Sequence, residues 1–119
     1  MTLDDYNATC KSLAHTTHVV QWGGAHVWKV AAKVFAIGGW QEKGADPFVT
    51  FKCSAMSFEL LKGQPGCRPA PYLASRGLLW IQCTSHQSLR PDDLKAYIRE
   101  SHRLVAAGLS KKRRKELGL

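Results

Sequence analysis

Between residues 19 and 53, four short β-prone runs follow one another with no room for a helix between them. They occupy 19–22, 26–31, 33–38 and 48–53, and are separated by Gly23-Gly24, by a tight break at Ala31-Ala32 and by a loop over 39–47. Parallel neighbours need a crossover of a dozen or more residues, so runs this close pair as antiparallel hairpins. An antiparallel meander is the expectation, and the rest of the chain must be arranged around it.

The flanks read as helices and further strands. Apolar positions 3, 6, 10, 13 and 14 make a helical stripe over 3–16, with Thr2 as N-cap and Asp4 and Asp5 in the first turn, where carboxylates meet the positive end of the helix dipole. After the meander a short helix at 54–62 is stopped by Gly63 and Pro65, and strands follow at 72–74 and 78–83. The last long helix starts at Pro91, a first-turn position where proline is tolerated, with Leu89, Leu94, Ile98 and Val105 facing inward. Ser110 can cap a final short basic helix. The class is α+β, in the order α-β-β-β-β-α-β-β-α-α.

A chain of 119 residues is one domain, 1–119, with a basic segment at 110–119. No run approaches the roughly 18 apolar residues of a membrane span. The N-terminus is acidic and lacks an apolar secretion segment, so a cytoplasmic location is expected. Cys10, Cys53, Cys67 and Cys83 show no CxxC spacing and read as buried reduced thiols.

Charge is where the composition departs from the ordinary. Residues 1–60 carry five basic and five acidic side chains, whereas residues 61–119 carry twelve basic and four acidic, the whole net excess of +8. Half of that excess lies in the last ten residues, around Lys111, Lys112, Arg113, Arg114 and Lys115. Localised positive charge attracts polyanions by releasing their condensed counterions, although a solvated tail would look the same.

The segment Pro-Gly-Cys-Arg-Pro-Ala-Pro-Tyr at 65–72 holds three prolines in eight residues. Each fixes its own φ and pushes the preceding residue toward extended backbone. Arg68, just before Pro69, is therefore held on a stiff loop, which lowers the entropy cost of using it against an anion. The plainer role of the prolines is to route the chain from helix to strand.

These stretches also carry a resemblance. The run His-Val-Trp-Lys-Val-Ala-Ala-Lys-Val-Phe-Ala-Ile at 26–37, Phe51-Lys52-Cys53, the proline segment through Ala74, Trp80-Ile81 and residues 98–112 together resemble the MmcQ/YjbR family over nearly the whole chain. The resemblance implies a frataxin-like (CyaY-like) two-layer sandwich, a mainly antiparallel sheet with helices on one face, in a bacterial cytoplasmic protein. It also implies DNA binding through a double-wing arrangement of β-hairpins, and brings no established reaction. Trp28, Lys33, Lys52, Arg68, Tyr72 and Trp80 are the positions that carry over.

Strand alternation gives those positions an independent reading. Trp28 shares a face with Val30; Lys33, Phe35 and Ile37 alternate with Val34 and Ala36; Phe48, Thr50 and Lys52 alternate with Val49, Phe51 and Cys53. Lys33 and Lys52 can then reach one solvated face, with Trp28 or Trp80 nearby as a flat apolar surface, a pairing that suits phosphate contact and base stacking. Burial in the core is the plainer expectation for both tryptophans. The candidate nucleic-acid contacts are Trp28, Lys33, Lys52, Arg68, Tyr72 and Arg76, with Lys111, Lys112, Arg113 and Arg114 in the tail.

Other constellations fail on chemistry. Residues 33–40 look like the RNP1 octamer of RNA-recognition motifs, but that fold needs a helix between its first two strands. Iron would need grouped acidic oxygens, and only Asp4 and Asp5 are available on the first helix. His15, His18 and His26 lack a fixed metal-binding spacing. Cys67 with His86 is the one thiol–imidazole pairing to name, without a third orienting group. No catalytic residue, metal or cofactor is assigned. Two readings remain: a monomeric nucleic-acid-binding protein, DNA before RNA, or an interaction module whose basic surface meets an acidic protein or small ligand.

Overall fold

In the computed structural model, which describes residues 1–119, helix α1 (Leu3–Lys11) opens on Thr2, whose hydroxyl accepts the Asp5 N–H at 3.1 Å. It stops well short of residue 16. His15 takes left-handed backbone (φ 59°), and the β-branched Thr16 and Thr17 begin a strand instead. The meander then runs β1 (Thr16–Gln21), β2 (Ala25–Val30), β3 (Lys33–Gly39) and β4 (Phe48–Lys52), each antiparallel to the next. Helix α2 (Ala55–Leu61), capped by Ser54, leads to β5 (Cys67–Pro69), a 3-10 turn at Ala74–Arg76, and β6 (Trp80–Cys83). Helices α3 (Pro91–Ala107) and α4 (Lys111–Leu117), the latter capped by Ser110, close the chain.

The strand expected at 72–74 lies instead at 67–69, inside the proline segment. Strand order is β1-β2-β3-β4-β6-β5, which puts β5 on an edge. Pro69 has no N–H to give a ladder, and an edge strand tolerates that loss.

The helices lie on one face of this six-stranded sheet. Tyr6 and Cys10 from α1, Leu61 from α2, and Leu94 and Ile98 from α3 join Val30, Phe35, Val49, Phe51, Ile81 and Cys83 in one core of 18 buried residues. Helix α1 lies so close to β3 that a Cβ at Gly38 would sit 2.5 Å from the Tyr6 ring, while the Tyr6 hydroxyl donates to the His26 carbonyl at 2.8 Å. All four cysteines are buried and reduced.

A β-bulge corrects the expected alternation in β3. Trp28 pairs with Ala36 and Lys29 with Val34, so Phe35 is the extra residue. Phe35 and Ala36 both enter the core under the helices, and Ile37 turns to the opposite face beside Val27 and Val34. Ser101 of α3 stabilises the irregularity: its hydroxyl donates to the Phe35 carbonyl at 2.6 Å and accepts the Lys52 N–H at 2.9 Å. Ser101→Ala leaves both groups unpaired and buried, so it should destabilise the fold by about 1–3 kcal/mol in a urea melt.

Candidate functional site

The sheet face away from the helices carries one continuous row of side chains across all six strands. The registers align Val19, Val27, Ile37, Thr50, Gln82 and Arg68 from one edge to the other. The row grades from apolar through amide and hydroxyl to a cation. Arg68 Nε–H donates to Gln82 Oε1 at 2.8 Å, Gln82 Nε2–H donates to Thr50 Oγ1 at 3.4 Å, and the Arg68 guanidinium lies 5.8 Å from the Phe48 ring centre. None of the four ion pairs in the chain involves Arg68, so its terminal N–H groups have no carboxylate partner. No strand contains an Asp or a Glu.

Three aromatic side chains rise around this row. Trp22 follows β1, Trp40 follows β3 at the same end of the sheet, and the Pro71–Leu73 segment returns over the face from the other end, carrying Tyr72. Trp40 Nε1–H donates to the Trp22 carbonyl at 2.8 Å, tying the two turns together. With Trp80, Ile37, Val34, Thr50 and Gln82 they enclose a cavity of about 640 Å³. Trp22, Trp40 and Tyr72 are 53%, 45% and 86% exposed. All three hold left-handed backbone, at φ 53°, 62° and 75°. Such backbone costs roughly 1–3 kcal/mol per residue for ordinary side chains and clusters at functional sites.

The expected contact residues fall into three places. Tyr72 lines the large cavity, Arg68 lies just outside its lining on Gln82, and Arg76 is exposed on the 3-10 turn just beyond Tyr72. Lys33 and Lys52 do come together, around a second cavity of about 250 Å³ with Trp80, Val105 and Gly108. The extra residue at Phe35 sets Lys33 opposite Val30 on the helix side, so it does not share an alternating face with Ile37 as expected. Gly108 is the junction to α4, where Lys111 and Lys112 are exposed, Arg113 pairs with Glu116 at 3.4 Å and Arg114 is half-buried.

Trp28 is a correction. It is 6% exposed on the helix side of the sheet, its Nε1–H donates to Asn7 Oδ1 at 2.9 Å, and its ring stacks on His18 with centroids 4.6 Å apart. It anchors α1 and offers no ring to a partner on the open face. Trp80 is buried, as expected, at 8% exposure. It is buried on the open side, as the wall common to both cavities.

The thiol and imidazole groups are engaged elsewhere. Burial raises the thiols of Cys67 and Cys83, the latter to about 11, which keeps them protonated. One His86 ring nitrogen meets the Leu89 carbonyl at 2.9 Å and the other meets the N-terminal amine, so His86 is not directed at Cys67. His18 and His26 do meet, at 2.9 Å, and partial burial followed by the neighbouring His26 lowers His18 below the usual imidazole range. No group of three or more His, Cys, Asp or Glu side chains converges. No helix is long and apolar enough to cross a membrane.

Trp22 and Trp40 were not among the expected contacts. Each stands beside a glycine pair, Gly23-Gly24 and Gly38-Gly39, and reads locally as turn punctuation. A large aromatic at such a turn was the available signal.

Known proteins place the chain as follows. A family model, YjbR, matches residues 11–104, and no curated protein matches the chain. The crystal structure of Deinococcus radiodurans protein DR2400, which carries the DUF419 domain, is similar with a TM-score of 0.83 at 25% identity, over 99% of this chain and 88% of that one.

Proposed function

The chain belongs to the YjbR family, and on that footing we propose that it is a nucleic-acid-binding protein without catalytic activity, acting on DNA rather than RNA as a cytoplasmic monomer. The observation that carries this reading is the chemistry of the open sheet face. It presents Arg68, Lys29 and Lys52, exposed aromatic side chains at its rim, and not one strand carboxylate. Cations there neutralise phosphates and release counterions, while exposed rings stack on bases. Contacts of that kind position a nucleic acid and read little sequence, so weak sequence preference follows. A frataxin-like sandwich using its β1–β2 and β3–β4 hairpins as a double wing belongs to the same proposal.

One observation favours a second reading, an interaction module for an acidic protein or a small ligand. Eight of the eleven residues lining the large cavity are hydrophobic, more than phosphate contact alone requires. Anisotropy titrations of labelled duplex DNA, single-stranded DNA and an acidic polypeptide across a salt series separate the two. DNA binding that weakens steeply with salt supports the first. No DNA binding at micromolar protein and low salt removes it, and tighter binding of the polypeptide at equal salt moves the assignment to the second.

A further inference from the structure

The large cavity has more chemistry than a phosphate track needs. Its rim is three aromatics in backbone that bulky side chains avoid; beside Trp22, Gly23 and Gly24 hold positive φ without that cost. Three of the six non-glycine residues that hold positive φ stand around this one opening. The floor adds direction. Ile37 is apolar and Thr50 and Gln82 are buried and polar; next to Gln82, outside the lining, Arg68 donates to it and keeps its terminal N–H groups unpaired by any carboxylate. Gln82 gives one amide hydrogen to Thr50, which leaves its second amide hydrogen and the Thr50 hydroxyl hydrogen as donors for a polar ring edge. The volume of about 640 Å³ lies within the range of small-molecule sites.

We infer that this cavity receives a planar aromatic ring bearing an anionic group: the ring lies among Trp22, Trp40 and Tyr72 above Ile37, and the anion meets Arg68. A nucleotide has this chemistry, its base supplying the ring and its phosphate the anion. Resting on the nucleic-acid reading, the inference names what the site selects, an unpaired nucleotide. A base stacked within a duplex cannot present its face to the rim. The same group comes from a free nucleotide or from a single strand, and the experiment distinguishes them.

Three of the four tryptophans line the cavity while Trp28 lies on the helix side, so intrinsic fluorescence reports occupancy. The protein is titrated with adenosine monophosphate, adenosine, a ten-residue single-stranded oligonucleotide and a hairpin duplex. Adenosine monophosphate and the single strand should quench, the duplex should quench far less, and adenosine should bind roughly tenfold or more weakly than its phosphate. Arg68→Ala should bring adenosine monophosphate down to the level of adenosine. Tyr72→Gly removes an 86% exposed ring and its backbone strain together, so binding should fall about tenfold while Tm stays level or rises. A folded Tyr72→Gly or Arg68→Ala variant that quenches like the wild type overturns the inference. Duplex and single strand bound equally in anisotropy, with fluorescence unmoved, overturns it too while leaving the polyanion reading intact. Quenching by adenosine monophosphate without binding of any polynucleotide keeps the inference, with the free nucleotide as source, and ends the nucleic-acid reading.

Discussion

Trp80→Ala is expected to destabilise the protein by about 3–5 kcal/mol, measured by denaturant melting, and to weaken ligand binding in the fraction that stays folded. The ring is 8% exposed at the start of β6, opposite Lys52, and walls both cavities at once. Its removal takes a buried ring out of the wall of two spaces, of about 640 and 250 Å³, and leaves a void at the start of β6. Trp80→Phe should keep most of the stability, because a flat apolar ring still closes the wall. Trp22→Ala sets the contrast: a 53% exposed residue in left-handed backbone should leave the melt nearly unchanged. A Trp80→Ala variant within about 1 kcal/mol of wild type would mean that the ring is not packed into the wall of the two cavities.

The meander was legible because spacing alone excludes crossovers, and the two-residue break at Ala31-Ala32 appears as a turn with both residues at positive φ. Thr2 and Ser110 were legible as caps for an equally local reason, a hydroxyl one position before a helical run, whereas Ser54, read as the first residue of its helix, is that helix's cap. What was not legible depends on partners distant in sequence. β5 is three residues long, too short to show a period, and exists only because β6 offers it a ladder. The bulge at Phe35 depends on the Ser101 hydroxyl, 66 residues away, taking up the freed carbonyl. That one extra residue put Phe35 and Lys33 on the helix side, away from the face that strict alternation gives them with Ile37 and Lys52. Ile37 and Thr50 keep the open face that alternation assigns them, and Arg68 and Tyr72 could be read from the proline segment, but the rim at Trp22 and Trp40 could not. Trp28 shows the converse: a tryptophan flanked by β-prone residues looks the same in sequence on either side of a sheet, and only Asn7 and α1 decide which side is covered.

Deleting residues 110–119 should halve the salt sensitivity of nucleic-acid binding without abolishing it. Helix α4 buries no residue, so the fold survives the deletion. Of its five cations, Arg113 is already paired with Glu116, which leaves about four for phosphate contact. The open side of the domain contributes about four more, Lys29, Lys52, Arg68 and Arg76. At a slope near 0.9 per contact, roughly eight contacts weaken binding about ten-thousandfold between 50 and 200 mM salt, and four contacts only about a hundredfold. The tail has no aromatic group, so it adds affinity but no preference among ligands. Full-length and truncated proteins should therefore rank single strand, duplex and acidic polypeptide in the same order, with the truncated form weaker at low salt and closer to full length at high salt. Loss of all binding on truncation would make the tail the only polyanion site, and the cavity would then have to be explained by a small ligand alone.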